Sequence, residues 1–141
     1  METDPQSCNK KIFLKDTYDL TGIHVLIADD VEFNVLVAGQ MLVNCKATYE
    51  SVNNGVEAVE KARKNKYNLI LMDLQMPVMD GFEATEQIRT FNAAIPVIAL
   101  TASAEASLVT RIKNSGMDDY LTKPFKPKDF YTIVLKYAAI T

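Results

Sequence analysis

Four places in the sequence carry chemically useful side chains directly after a short run that reads as a strand. Asp29-Asp30 follows Ile23-His24-Val25-Leu26-Ile27-Ala28, and Asp73 follows Leu69-Ile70-Leu71-Met72. Thr101 follows Pro96-Val97-Ile98-Ala99-Leu100, and Lys123 follows Asp119-Tyr120-Leu121-Thr122. If these runs are neighbouring strands of one parallel sheet, all of the terminal groups fall on a single edge, the edge where open α/β sheets bind ligands. Three carboxylates gathered there repel one another and need a compensating charge. Mg²⁺ supplies it through one or two carboxylates, and the backbone carbonyl of Gln75, two residues past Asp73, is a further hard oxygen ligand. Lys123 is a compact positive partner for a carboxylate or phosphoryl oxygen, and the Thr101 hydroxyl adds a donor. An acid beside a divalent cation, a lysine and a hydroxyl is equipped to attack phosphorus. Phosphoryl transfer asks mainly for positioning and charge stabilisation, so these residues predict that Asp73 becomes an aspartyl phosphate.

The elements that must hold these groups are written in period and punctuation. A run that is apolar without alternation is a strand buried on both faces. Over residues 31–44, Phe33, Leu36, Val37, Met41 and Leu42 recur at helical spacing, with Asp30 placed to cap the helix. Residues 47–52 alternate weakly and are rich in Thr, Tyr and Val, which predicts a strand, and Asn53-Asn54-Gly55 is a turn signal. Val56, Val59 and Ala62 then mark a second amphipathic helix whose interleaved charges are its solvated face. Ala84 and Ile88 mark a third over residues 81–90, and Leu108 and Ile112 a fourth over residues 104–114. A fifth opens at Pro127, a residue suited to the first helical position, with Phe130, Ile133, Val134 and Tyr137 along one face. Five strands alternating with five helices at short loop lengths predict an α/β fold: a parallel, doubly wound sheet with helices on both faces and right-handed crossovers.

Composition narrows the function classes. The 141 residues amount to one domain. A net charge of -3 provides no broad basic field, which disfavours direct nucleic-acid binding by this chain. Cys8 and Cys45 match neither a metal-site spacing nor a disulfide framework, so both are read as free thiols of a reducing, cytoplasmic compartment. The longest apolar run falls far short of the ~18 residues of a membrane span, and residues 1–11 are too polar for a secretory signal, so no membrane contact is expected. Residues 1–20 show no sustained period and read as an N-terminal extension or linker, with the domain occupying 21–141.

Taken together, Asp29-Asp30, Met72-Asp73-Leu74-Gln75-Met76-Pro77-Val78-Met79-Asp80-Gly81, Ala99-Leu100-Thr101-Ala102 and Tyr120-Leu121-Thr122-Lys123-Pro124-Phe125 resemble the receiver domain of two-component response regulators. The acid pair alone is a weak signal, whereas the joint match in order and spacing is specific. The resemblance implies a flavodoxin-like strand order 2-1-3-4-5. It implies that Asp73 accepts a phosphoryl group from a phosphohistidine on a histidine kinase or histidine phosphotransfer protein. Asp30, Asp73 and the Gln75 carbonyl then hold Mg²⁺, with Asp29 acting directly or through water, and Thr101 and Lys123 contact the phosphoryl group. Tyr120 matches the aromatic switch position, whose ring turns inward when Thr101 moves toward the phosphate. Leu20-Thr21-Gly22 and Glu32-Phe33-Asn34 followed by Val37 look like receivers at the carboxyl end of hybrid histidine kinases. No stretch resembles a kinase catalytic domain, and the sole histidine, His24, opens a buried strand and is a poor phosphodonor. Only Ile140 and Thr141 follow the last helix, so no output domain is expected here. A stand-alone response regulator is the alternative origin, and a homodimer is left open.

Three rival readings have discriminating features. A Mg²⁺-dependent phosphatase working through an aspartyl phosphate commonly places a second acid two residues after the nucleophile; Gln75 stands there and cannot serve. A phosphorylation-independent binding module has no use for the complete set Asp29, Asp30, Asp73, Thr101 and Lys123. A flavin carrier on the same fold needs a hydroxyl-rich phosphate cradle, which the acidic strand-end loops lack.

Overall fold

The computed structural model describes residues 19–138. The expected extension, with Cys8, lies outside the described residues apart from Asp19 and Leu20. Strands and helices alternate as β1 His24–Ala28, α1 Glu32–Asn44, β2 Thr48–Val52, α2 Gly55–Lys64 and β3 Leu69–Asp73, then α3 Gly81–Arg89, β4 Val97–Thr101, α4 Ala106–Asn114, β5 Asp119–Thr122 and α5 Pro127–Ala138. The sheet order is β2-β1-β3-β4-β5 and every pairing is parallel. This is the order that the resemblance implied.

The apolar runs are strands because both of their faces are covered. Every residue of β3 and β4 is buried. Leu26, Ile70, Met72, Val97 and Ala99 point to one core, closed by Ala58 and Val59 of α2, Ile88 of α3 and Ile112 of α4. Val25, Ile27, Leu69, Leu71, Ile98 and Leu100 point to the other, closed by Leu42 of α1 and by Phe130 and Val134 of α5. Two-sided burial removes the period of two that a half-exposed strand shows. Leu20 joins the second core, and its N–H donates to the Cys45 carbonyl at 2.7 Å, tying the chain entry to the end of α1.

The edge strands β2 and β5 are only partly buried and carry the polar positions. Glu50 of β2 accepts from the Tyr67 hydroxyl at 2.8 Å, meets Lys61 at 3.3 Å and lies 3.1 Å from His24 Nε2. His24 stacks on Tyr67 with ring centroids 5.1 Å apart. It therefore sits at the opposite end of the sheet from Asp73, occupied by its own partners.

Two helix starts differ from the sequence expectation. Asp30 does not cap α1: Val31 holds the cap position without a side-chain bond, and the Val31 N–H donates to Asp29 Oδ1 at 2.9 Å. A carboxylate oxygen of Asp30 lies instead within 4.8 Å of oxygens of Asp29 and Asp73. Helix α4 begins at Ala106, because the hydroxyls of Thr101 and Ser103 take the N–H groups of Ser103 and Glu105 at 3.1 and 3.3 Å. Such local hydroxyl turns compete with a helical turn. By contrast α2 and α3 are capped by Asn54 and Asp80, each side chain accepting an N–H at 2.9 Å.

Candidate functional site

Strand register brings the chemistry together. Ala28 pairs with Met72 and Asp73 with Leu100, so Asp29 and Asp73 emerge side by side at the carboxyl edge. Thr101 pairs with Thr122, which delivers Lys123 to the same edge. One oxygen from each of Asp29, Asp30 and Asp73 lies within 4.8 Å of the others. Lys123 Nζ stands 3.2 Å from Asp29 Oδ2 and 3.2 Å from Asp73 Oδ1. Asp29 and Asp73 are buried and Asp30 is exposed, so the cluster opens outward through Asp30. An open cleft of about 880 Å³ lies over it, lined among others by Asp30, Asp73, Gln75, Thr101 and Lys123.

The loop after β3 is held tightly to Asp73. The Gln75 N–H donates to Asp73 Oδ1 at 3.4 Å, and the Gly81 N–H to the Leu74 carbonyl at 3.1 Å. Position 81 must be glycine, because a Cβ there collides with the Asp73 carbonyl oxygen. Helix α3 thus starts directly against the backbone of Asp73.

The charges do not balance within the protein. One ammonium faces three carboxylates, and Asp29 Oδ2 is a buried oxygen without a hydrogen bond, its ion pair with Lys123 notwithstanding. Burial, and after it the charge of Asp29, pushes the Asp73 carboxyl up to about 6, against the pull of the Lys123 ammonium and the Gln75 N–H. Crowded carboxylates with one unsatisfied buried oxygen suit a hard divalent cation. The residues present therefore fit Mg²⁺.

Of two further expected residues, Thr101 lines the cleft and Tyr120 does not. The Thr101 hydroxyl donates to the Ser103 carbonyl at 2.9 Å and accepts from its N–H at 3.1 Å, so it is engaged with its own loop. Tyr120, on β5 beside Ala99, is half-buried against the core under α2, α3 and α4. The cleft also contains residues to which the sequence analysis gave no role at the site: Val31, Asp80, Phe82, Leu108 and Arg111. The Arg111 guanidinium carbon lies 3.9 Å from the centroid of the Phe82 ring. No sequence signal marks Arg111, since an arginine on an amphipathic helix reads as solvated surface.

Residues 25–135 match the family described as the response regulator receiver domain. The chain belongs to the response regulator receiver family. This receiver is 40% identical over 121 residues to the sensor protein GacS of Pseudomonas syringae pv. syringae, a match covering 82% of this chain and 13% of that protein. It thus spans only a small part of that relative's length. Among solved structures it is similar to the receiver domain of sensor histidine kinase PA1611 from Pseudomonas aeruginosa PAO1, which has a magnesium ion coordinated in its active site cleft. The TM-score is 0.78 at 35% identity, covering 84% of this chain and 99% of the other. It is also similar to a chain in the co-crystal structure of the Saccharomyces cerevisiae histidine phosphotransfer signaling protein Ypd1 with the receiver domain of the response regulator Ssk1. There the TM-score is 0.80 at 34% identity, covering 84% and 90% of the two chains.

Proposed function

We propose that this receiver takes a phosphoryl group on Asp73 from a phosphohistidine of a histidine kinase or histidine phosphotransfer protein, and that it comes from a cytoplasmic portion of a hybrid sensor histidine kinase. The observation that carries the reading is Asp73 itself: a buried carboxylate at the sheet's carboxyl edge, 3.2 Å from Lys123 and clustered with Asp29 and Asp30. In the transfer an Asp73 oxygen attacks phosphorus, a P–O bond forms and the P–N bond to the donor imidazole breaks. The imidazole leaves with that electron pair, neutral where its other ring nitrogen already carries a proton and otherwise as an imidazolate that takes one from water. The Asp73 carboxylate is itself consumed in the transfer, so the chain acts as a phosphoacceptor and not as an enzyme that turns over a substrate.

Asp29, Asp30, Asp73 and the Gln75 carbonyl would hold Mg²⁺, which when bound supplies positive charge against the developing phosphoryl oxygens. Lys123 exchanges its ion pair with Asp73 for one with a phosphoryl oxygen. Thr101 has to release the bond it donates to the Ser103 carbonyl before it can donate to the same group, and that release is the switch. Adding close to two negative charges at this edge changes the state only through contacts made in one state and absent in the other. Thr101 and Lys123 are those contacts. The loop after β4, helix α4 and Tyr120 on β5 would carry the change outward.

Helix α1 supports a partner of this kind. It is apolar on both sides: Leu42 faces the core, while Phe33, Leu36 and Val43 are 71%, 57% and 52% exposed. Val31, itself exposed, lines the cleft and joins this strip to the site. A protein presenting a phosphohistidine from a helical surface would cover the strip while its imidazole reaches Asp73.

The test is incubation with Mg²⁺ and acetyl phosphate, followed by intact mass, beside an Asp73→Asn control. Gain of one phosphoryl group that is absent from the control and lost with a chelator is the expected result. Failure with several small donors and with a phosphotransfer protein would leave a phosphorylation-independent binding module as the better reading. Phe33→Asp is expected to slow transfer from the phosphotransfer protein and to leave labelling by acetyl phosphate intact.

A further inference from the structure

We infer that Arg111 is a donor-capturing cation of the cleft, a specificity-determining contact for the dianionic phosphoryl group on its way to Asp73; this rests on the phosphoacceptor reading above. The charged residues lining the cleft are Asp30, Asp73 and Asp80 against Lys123 and Arg111, with Asp29 buried beside them. Lys123 is already committed, at 3.2 Å to each of Asp29 and Asp73. Arg111 is paired with no carboxylate among the described residues; its contact is the face of the Phe82 ring at 3.9 Å. Stacking occupies the flat face of a guanidinium and leaves its in-plane N–H donors free.

The position of that guanidinium is built, not incidental. Phe82 is buried and follows Gly81, the residue that packs against the Asp73 carbonyl, so the nucleophile and the platform share one stretch of backbone. Arg111 comes from α4, the helix that follows the Thr101-Ala102-Ser103 wall of the cleft. A donor carrying close to two negative charges approaches a cleft whose lining is net acidic, and a cation at the wall raises its local concentration. Arg111 acts before bond making. The transfer step itself, and the groups that bear it, are unchanged.

The test is phosphorylation by acetyl phosphate at saturating Mg²⁺, with initial rates followed by intact mass across donor concentration for the parent, Arg111→Gln, Arg111→Lys and Phe82→Leu. Arg111→Gln is expected to raise the donor KM about threefold to fivefold, the range of an exposed charge contact, with kcat held and Mg²⁺ affinity unchanged by direct titration. Raising ionic strength to about 0.5 M should shrink that defect, because the interaction is screened. Arg111→Lys is expected to recover most of the KM, and Phe82→Leu, which keeps the charge and removes its platform, to raise KM in the same direction by less. Parental KM in Arg111→Gln would overturn the assignment. A fall in kcat at constant KM would overturn it too, by showing that Arg111 acts only through the packing of α4. If the parent itself gains no phosphoryl group, the phosphoacceptor reading falls and this assignment with it; normal labelling of the parent with an unaffected Arg111→Gln removes this assignment alone.

Discussion

Val78 sits in the loop after β3 at φ 71. That left-handed conformation costs an ordinary L residue about 1–2 kcal/mol, and a β-branched side chain there is an outlier. The Met79 N–H donates to the Pro77 carbonyl at 2.7 Å, a three-residue closure centred on Val78. The loop is pinned from two directions. The Gly55 N–H donates to the Met79 carbonyl at 3.0 Å, and α3 is seated on the Asp73 carbonyl through Gly81. Strain persists where the surroundings over-determine a conformation, and these contacts do so. The Val78 side chain is 82% exposed, so its removal forfeits at most about 0.5 kcal/mol of burial. Asn enters this backbone region far more readily. Val78→Asn is therefore expected to stabilise the domain by about 1 kcal/mol, which raises Tm by about 3–5 °C. Urea unfolding followed by circular dichroism measures it, as a higher midpoint at unchanged m. A midpoint at or below that of the parent would refute the reasoning, because it would mean that the left-handed turn costs this chain nothing.

Other expectations follow from single contacts. Thr101→Ala should still be phosphorylated but lose most of the phosphate-dependent amide shifts around Tyr120; parental shifts in the variant would remove Thr101 from the switch. Arg89 donates to the carbonyls of Gly116, Asn92 and Ile95 at 2.9, 3.1 and 2.7 Å and pairs with Asp118 at 3.1 Å. Arg89→Met leaves these partly buried acceptors unpaired and should cost about 2–4 kcal/mol in chemical denaturation, while a loss under about 1 kcal/mol would mean water replaces the guanidinium freely. Glu50 is held down from 4.5 to about 2 by the Tyr67 hydroxyl first and His24 next, with Lys61 adding to them. A depressed carboxyl contributes stability above its unfolded value and loses it as pH falls from about 4.5 toward about 2. Glu50→Gln should thus be less stable than the parent at pH 7, by about 1 kcal/mol after allowing for its 39% exposed side chain. Thermal melts should show the gap closing through that acid window, and a gap independent of pH would assign it to packing instead.

The sequence by itself determined which segments are strands and which strand ends bear the acids, the hydroxyl and the lysine. Leu69 to Met72 and Val97 to Leu100 are apolar without alternation because both faces are covered, and burial is written locally in residue type. The acids, hydroxyl and lysine that terminate the strands were legible for the same reason: polar residues ending apolar runs stand out without knowledge of any neighbour. Strand order was not legible in periodicity, which reports that a strand is buried but not beside which other strand; it came from the resemblance. Asp30 read as a helix cap because capping is a local preference, yet in the fold it clusters with Asp29 beside it and with Asp73 from another strand. Only the tertiary structure decided that Lys123 stands between Asp29 and Asp73, that burial and the Asp29 charge push Asp73 upward, and that Thr101 is held by Ser103. It alone laid Arg111 on Phe82 at the cleft wall. Apart from the Thr101–Ser103 turn, each of these depends on distances between residues far apart in the chain, and only packing sets such distances.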